Sequence, residues 1–351
     1  MSKANSKIVK GIILALLITD THLHKNNVEL VKDIFRQAIK LCLEHGLKKI
    51  YHLGDFFTSR EAQPLHVLIE AKEIFLMIKE AGLEMDIIPG NHDKVYLNST
   101  LSYLHAVEKN DAIRLIDNVF DLMLSKEVNV LYLPYFKEKE SYLPKLKEAT
   151  DLIRKDKINI LLTHISINGV TNNDGSAVEN EIKQELFKKF DYVYVGHYHN
   201  KQSNGNIHYI GSSYQANFGE DEIKGFQFLM DNGKVEMILS KFPKYIKEKI
   251  NIDDKDKLKK FEKQYANSTD NVRFILIGEK TKLQAFKKEN LLDKGIDVKF
   301  ENDEINTNVD IANNEIVVFD RSNIKSAFDK FTEINSIEDK EFGESYLEQI
   351  L

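Results

Sequence analysis

"IPGNHDK", residues 88–94, sets Gly90, Asn91, His92 and Asp93 directly behind a short apolar run. An amide, an imidazole and a carboxylate at the end of one strand mean little alone. Their meaning depends on what the other strands supply. Four further stretches end in the same way. "LLITDTHLH" (16–24) gives Asp20 and His22, and "IYHLGDFF" (50–57) gives Asp55. "ILLTHIS" (160–166) gives His164, and "VYVGHYH" (193–199) gives His197 and His199. In open α/β sheets ligands bind beyond the carboxyl ends of the strands, so these groups are expected to meet at one site.

Carboxylate, imidazole and amide without a thiolate suit Mn²⁺, Fe²⁺ or Zn²⁺. The groups are too many for one ion and suit two ions sharing a bridging carboxylate. Two ions about 3.5–4 Å apart are a recurring device for hydrolysing phosphate esters. A single histidine behind a strand is more often a hydrogen-bonded core or surface residue. Five such elements in this order are not explained that way. His24, His45, His52, His66, His105 and His208 are read as ordinary histidines.

The surrounding pattern is that of an α/β protein. Short apolar runs at 12–19, 48–53, 84–88, 128–133, 158–163, 191–195, 207–210, 225–230 and 234–239 predict buried strands. Val31, Ile34, Phe35, Ala38, Leu41 and Cys42 recur at helical spacing within 28–45, and Gly46 closes that helix. Further helices are expected near 61–81, 138–155 and 178–189. After Ser240 the composition shifts. Residues 241–264 mix both charges around Pro243 and read as a linker entering an amphipathic helix. A strand at 272–278, a helix at 281–290 and a strand at 297–300 follow, then a helical tail. The expected division is 1–240, 241–315 and 316–351.

With 351 residues and 42% hydrophobic content there is material for a sizeable core and more than one unit. The net charge of −6 excludes nucleic-acid binding by bulk positive charge. Cys42 is the lone cysteine, so no internal disulfide forms, as in a reducing compartment. The lysines and apolar run of residues 1–20 resemble a signal peptide, but the run enters Asp20 and His22 without a small-residue cleavage site. A cytoplasmic protein with no membrane association is expected, in a bacterial cell, with a phage-encoded chain as the alternative.

The order D-x-H, G-D, G-N-H-D, H, G-H-x-H, carried by Asp20 to His199, resembles the calcineurin-like metallophosphoesterase superfamily over roughly residues 12–240. The resemblance implies a sandwich of two mixed sheets flanked by helices, followed here by a small α+β capping domain and C-terminal helices. It implies that Asp20, His22, Asp55 and His199 hold one metal. Asp55, Asn91, His164 and His197 would hold the second, with Asp55 bridging. His92 would meet the phosphate and act as general acid, and Asp93 would orient His92 by hydrogen bonding.

"GDFFTSR" (54–60), "GNHD" (90–93) and "YIGSSYQANFGEDEIKGF" (209–226) narrow the likeness to SbcD-type nucleases of DNA double-strand-break repair. In look the chain is nearest to the recombination nuclease subunits of T-even-like phages. That likeness implies a Mn²⁺-dependent nuclease (Mg²⁺ the alternative ion) with 3′→5′ exonuclease and single-strand endonuclease activity. It also implies a homodimer acting on DNA with an SMC-like ATPase of the SbcC/Rad type. Thr58 and His24 depart from the usual pattern, which has histidine and glycine at those positions. The other reading is a small-molecule or cyclic-nucleotide phosphodiesterase.

Phe342, Tyr346 and Ile350, with Leu347 beside them, would form an apolar stripe docking on the ATPase, behind a capping box at Ser336 and Asp339. Gly343 interrupts that stripe. Phe56, Phe57, Tyr198 and Phe218 are candidates for stacking on bases, with core packing as the alternative.

Overall fold

The structure, a computed structural model, describes residues 11–108, 110–137, 140–172 and 175–302. The chain opens with β1 (Ile13–Ile18), α1 (Val28–Glu44), β2 (Lys49–His52), α2 (Leu65–Glu80), β3 (Glu84–Ile87) and β4 (Ile113–Leu115). These four strands run parallel. β5 (Phe120–Met123), β6 (Val128–Leu133), α3 (Tyr142–Asp151), β7 (Ile158–His164), β8 (Tyr192–Gly196), β9 (Gln202–Asn204) and β10 (Ile207–Tyr209) make a second sheet. β11 (Gly225–Met230) and β12 (Val235–Leu239) then return to the first. The orders are β12-β11-β1-β2-β3-β4 and β5-β6-β7-β8-β10-β9, and both sheets are mixed.

The two-residue period of a strand explains how these sheets stack. In β1, Leu16 and Ile18 face α1 and α2, while Ala15 and Leu17 face the second sheet. In β6, Val128, Val130 and Tyr132 face the first sheet, and Leu131 and Leu133 face outward toward α3. β8 repeats this with Tyr194 inward and Val193 and Val195 outward. Both faces of the central strands are therefore covered, which is why their sequences read as unbroken apolar runs. The stripe of α1 that meets the first sheet is Val31, Ile34, Phe35, Ala38 and Cys42, all fully buried.

A third, three-stranded sheet follows, from β13 (Tyr245–Asn251), α4 (Lys255–Tyr265), β14 (Asn271–Gly278), α5 (Lys280–Ala285), α6 (Glu289–Leu292) and β15 (Ile296–Asn302). Its strands are all parallel, and it has its own core around Ile250, Phe274, Leu276 and Ile296. It leans on the loop before β11. The Tyr245 N–H donates to Gln215 Oε1 at 2.9 Å, and the Phe218 ring packs on Tyr245 and 3.9 Å from the Arg273 guanidinium.

Two expectations are corrected. Residues 178–189 do not form a helix beyond a 3₁₀ turn at Gln184–Phe187. Asn180 ties that segment down: its side-chain NH₂ donates to the Ser166 carbonyl at 3.0 Å, and its Oδ1 accepts from Ile182 N at 3.0 Å. The supposed linker at 241–264 contains β13, an edge strand whose lysines and glutamate read as a solvated run. Ser336, Asp339, Phe342, Tyr346, Leu347 and Ile350 lie outside the described residues. No described helix is long and apolar enough to cross a membrane.

Candidate metal centre

The site stands where β1, β2, β3, β7 and β8 end. The loops after β1 and β2 are laced together by backbone hydrogen bonds: Asp20 N to Gly54 O at 3.0 Å and His22 N to Asp55 O at 3.0 Å. To make these turns the chain adopts the left-handed region at Asp20 (φ 53°), His22 (φ 48°), Asp55 (φ 54°) and His197 (φ 94°). Non-glycine residues rarely sit there, and each does so at a cost of order 1–3 kcal/mol. Asn267 is the sole other described example, so this strain is concentrated on the site. Gly90 serves a related need. A Cβ there would strike the Asp55 carboxylate and the Asp55 backbone nitrogen.

Two clusters result. Asp20, His22 and His199 form one, and Asp55, His164 and His197 the other, with the ligand atoms of each within 4.8 Å of one another. Asn91 joins the second: its Oδ1 lies 2.9 Å from His197 Nδ1 and 3.1 Å from His164 Nε2. Asp55 touches both, with Oδ2 3.3 Å from His164 Nε2 and 3.8 Å from His22 Nε2. In the first cluster His22 Nε2 and His199 Nε2 face each other at 3.0 Å.

Two of the outer nitrogens are spoken for. His164 Nδ1 sits 2.7 Å from the Leu53 carbonyl, and His199 Nδ1 sits 2.7 Å from Glu220 Oε1. Each partner is an acceptor, so each ring spends an N–H there and turns its Nε2 toward the centre. Nitrogen and oxygen lone pairs then converge. What reconciles them is positive charge between them, from a metal ion or from the second proton of an imidazolium. Oxygen and imidazole ligands with the outer N–H groups fixed by a carboxylate and a carbonyl are the donor set of a divalent metal site.

The model of the calcineurin-like phosphoesterase superfamily domain matches residues 13–227. The chain belongs to that superfamily. It is a metal-dependent phosphoesterase by family, and its two His/Asp clusters are consistent with a dimetal centre. Among curated relatives, exonuclease subunit 1 of Enterobacteria phage T4 is 24% identical over 200 residues, 55% of this chain and 56% of that protein. The SbcD subunit of the nuclease SbcCD of Staphylococcus epidermidis is 29% identical over 203 residues, 50% of this chain and 53% of that protein. The alignments thus span about half the length of either relative. Among solved structures, a dimetal phosphatase from Danio rerio is similar at 10% identity, covering 63% of this chain and 94% of that one, with a TM-score of 0.45.

The phosphoesterase centre holds its charges unevenly. Burial opposes charge on His164, but the charge and hydrogen bond of Asp55, with Asp20 and the Leu53 carbonyl, together push the pKa up to about 9. Burial likewise opposes ionisation of Asp55, yet His164 holds its carboxyl well below the usual range. Burial pushes His22 and His197 down to about 3, leaving both as neutral ligands. Burial raises Asp20, and burial with the nearby Asp55 charge pushes Asp93 up to about 7.

Asp93 does not reach His92. Its carboxylate accepts from the backbone N–H of Gly90 at 2.8 Å, Phe57 at 2.9 Å and Phe56 at 3.3 Å, fastening the "GNHD" turn to the "GDFF" turn. The His92 ring is fixed instead by Thr58, whose carbonyl meets Nδ1, while Thr58 Oγ1 donates to the His22 carbonyl at 2.6 Å. His92 Nε2 faces the Arg60 guanidinium at 3.3 Å, and its backbone N–H donates to Asp55 Oδ1 at 2.8 Å. Phe56 and Phe57 are fully buried in the core, Tyr198 is buried against His197, and Phe218 is held by Tyr245 and Arg273. Phe56, Phe57 and Tyr198 are therefore committed to packing, while Phe218 is half-buried. His52 is buried, its Nε2 3.0 Å from Thr21 Oγ1, and is not in either cluster.

Sequence reading had no role for Glu220, Arg60 or the Leu53 carbonyl. Glu220 lay within a stretch quoted for its likeness, which was the available signal. A backbone carbonyl carries none.

Proposed function

We propose that the chain is the Mn²⁺-dependent DNA nuclease subunit of an SbcCD-like repair or recombination complex, cutting phosphodiesters as a 3′→5′ exonuclease and single-strand endonuclease. The observation that carries phosphodiester hydrolysis is the convergence of Asn91, His164 and His197 on Asp55. DNA as substrate is supported by the two relatives, both nuclease subunits. Residues 1–240 would be the nuclease unit, 241–315 a capping unit, and 316–351 helices that dock an SMC-like ATPase, with two copies of the chain in the complex. A net charge of −6 agrees with a subunit that borrows DNA affinity from its partners.

Asp20, His22, Asp55 and His199 would hold one ion, and Asp55, Asn91, His164 and His197 the other. When bound, the ions supply Lewis-acid polarisation of the phosphate and activation of water. The chain's own residues do the rest. The short loops after β1, β2 and β3 hold the ligands on rigid strand ends. His92, whose Nδ1–H is held by the Thr58 carbonyl, accepts from Arg60 at Nε2 in the resting site; with Arg60 drawn to a phosphate oxygen, Nε2 would take a proton from water and pass it to the leaving oxygen as its bond to phosphorus breaks. Arg60, at Nε2, offers a cation to a phosphate oxygen beside that proton.

The test is hydrolysis of end-labelled duplex DNA by the purified chain with Mn²⁺, with Asp55→Asn as control. Cleavage that the variant loses supports the reading. Turnover of cyclic nucleotides with DNA left intact, alone and with the ATPase, contradicts it.

A further inference from the structure

We propose that Glu220 is a positioning residue for His199 that makes the two cation positions of the centre unequal; the proposal rests on the metal reading above. The Glu220 side chain is fully shielded, and Oε1 takes the Nδ1–H of His199 at 2.7 Å. That bond fixes the tautomer and aims Nε2 at His22 Nε2, 3.0 Å away.

The carboxylate cannot swing away. Oε2 accepts from Ala216 N at 3.1 Å and pairs with Lys224 Nζ at 3.2 Å. Lys224 Nζ in turn donates to the His199 carbonyl at 2.6 Å and to Asn200 Oδ1 at 3.1 Å. Glutamate, lysine and histidine backbone thus form one closed unit around the ring. The second cluster is backed differently: His164 hands its Nδ1–H to the neutral Leu53 carbonyl at 2.7 Å.

An imidazole hydrogen-bonded to a carboxylate is a stronger donor to a metal than one bonded to a carbonyl, and loss of such a partner typically costs about 10–100-fold in metal affinity. Glu220 therefore strengthens the position lined by Asp20, His22 and His199, while the Asn91 side has only the neutral Leu53 carbonyl behind His164. The same loop bears on the third sheet, since Gln215 Nε2 donates to the Glu220 carbonyl at 3.1 Å and Gln215 Oε1 accepts from Tyr245 N at 2.9 Å.

Calorimetric titration of Mn²⁺ into the metal-free full chain tests this, comparing wild type with Glu220→Gln, which keeps the shape and removes the charge. Wild type is expected to show two sites. The variant is expected to show one of them weakened about 10–100-fold and the other unchanged. Equal weakening of both sites indicates a merely structural role and overturns the proposal, as does unchanged binding at both. No binding by wild type overturns the metal reading and this proposal with it. Should the variant fail to fold, ¹⁵N-histidine NMR of the Zn²⁺-loaded wild type decides. His199 coordinating through Nε2 with a protonated Nδ1 supports the proposal, and coordination through Nδ1 overturns it.

Discussion

His164 Nε2 stands 3.3 Å from Asp55 Oδ2, and both side chains are closed off from water. The pair concentrates opposite charge in the centre of the sandwich, and it makes stability depend on pH. His164 is raised to about 9 against an ordinary 6.5, so the folded protein holds a proton that the unfolded chain releases. Its contribution is complete below about 6.5 and is lost as pH rises toward 9. Lys94, lowered to about 8 by burial, adds an opposite slope above that pH. The melting temperature of the metal-free protein should therefore fall between about pH 7 and 8. Mn²⁺, which competes with that proton, should remove the fall, and Asp55→Asn should reduce it, leaving the part that His199, raised by Glu220 against its burial, contributes. A rise over that window in the metal-free protein would show that His164 is neutral.

His92 is clamped at Nδ1 by the Thr58 carbonyl and accepts from Arg60 at Nε2, so it becomes a proton donor to a leaving group once Arg60 turns to the phosphate and Nε2 is protonated. His92→Asn should keep both metals and lose about 10²–10⁴-fold in kcat on DNA, the usual worth of general acid catalysis. On a bis(nitrophenyl) phosphate, whose nitrophenolate departs without a proton, the loss should be much smaller. Equal losses on the two substrates would rule the role out.

Gly90 lies where any side chain would meet the Asp55 carboxylate. Gly90→Ala should lower stability by about 1–3 kcal/mol through overpacking. It should also displace Asp55 and weaken both ions together. Denaturant unfolding and Mn²⁺ titration check this, and wild-type values in both would mean that the turn has room to move.

Asp93 is a fastener of backbone and not a partner of the His92 ring. Asp93→Ala leaves the amides of Gly90, Phe56 and Phe57 without their acceptor. The metal-free protein should lose at least about 1–3 kcal/mol, the cost of leaving a buried donor unpaired. A variant with unchanged unfolding and reduced activity would instead restore Asp93 to a role on His92.

Much of this was legible in the sequence because strands announce themselves by apolar runs and the chemistry begins where each run stops. Asp20, Asp55, Asn91, His164 and His197 were found that way, and the structure brings them together. The contacts that select a tautomer were not legible. Glu220 lies 21 residues from His199, and nothing in either local pattern ties them. The Thr58 and Leu53 carbonyls are backbone, which composition does not distinguish. β13 was missed because "YIKEKIN" sets three charges in a row on an edge strand, and surface charge masks a strand. The helix expected at 178–189 failed for a tertiary reason: Asn180 finds its partners on the Ser166 loop.

Everything proposed for the centre turns on Asp55 joining two cation positions. Crystals of the chain grown with Mn²⁺, measured at the manganese absorption edge, test this most directly. Two anomalous peaks are predicted, one among Asp20, His22 and His199 and one among Asn91, His164 and His197, with Asp55 touching both. A single peak, or peaks away from Asp55, would contradict it.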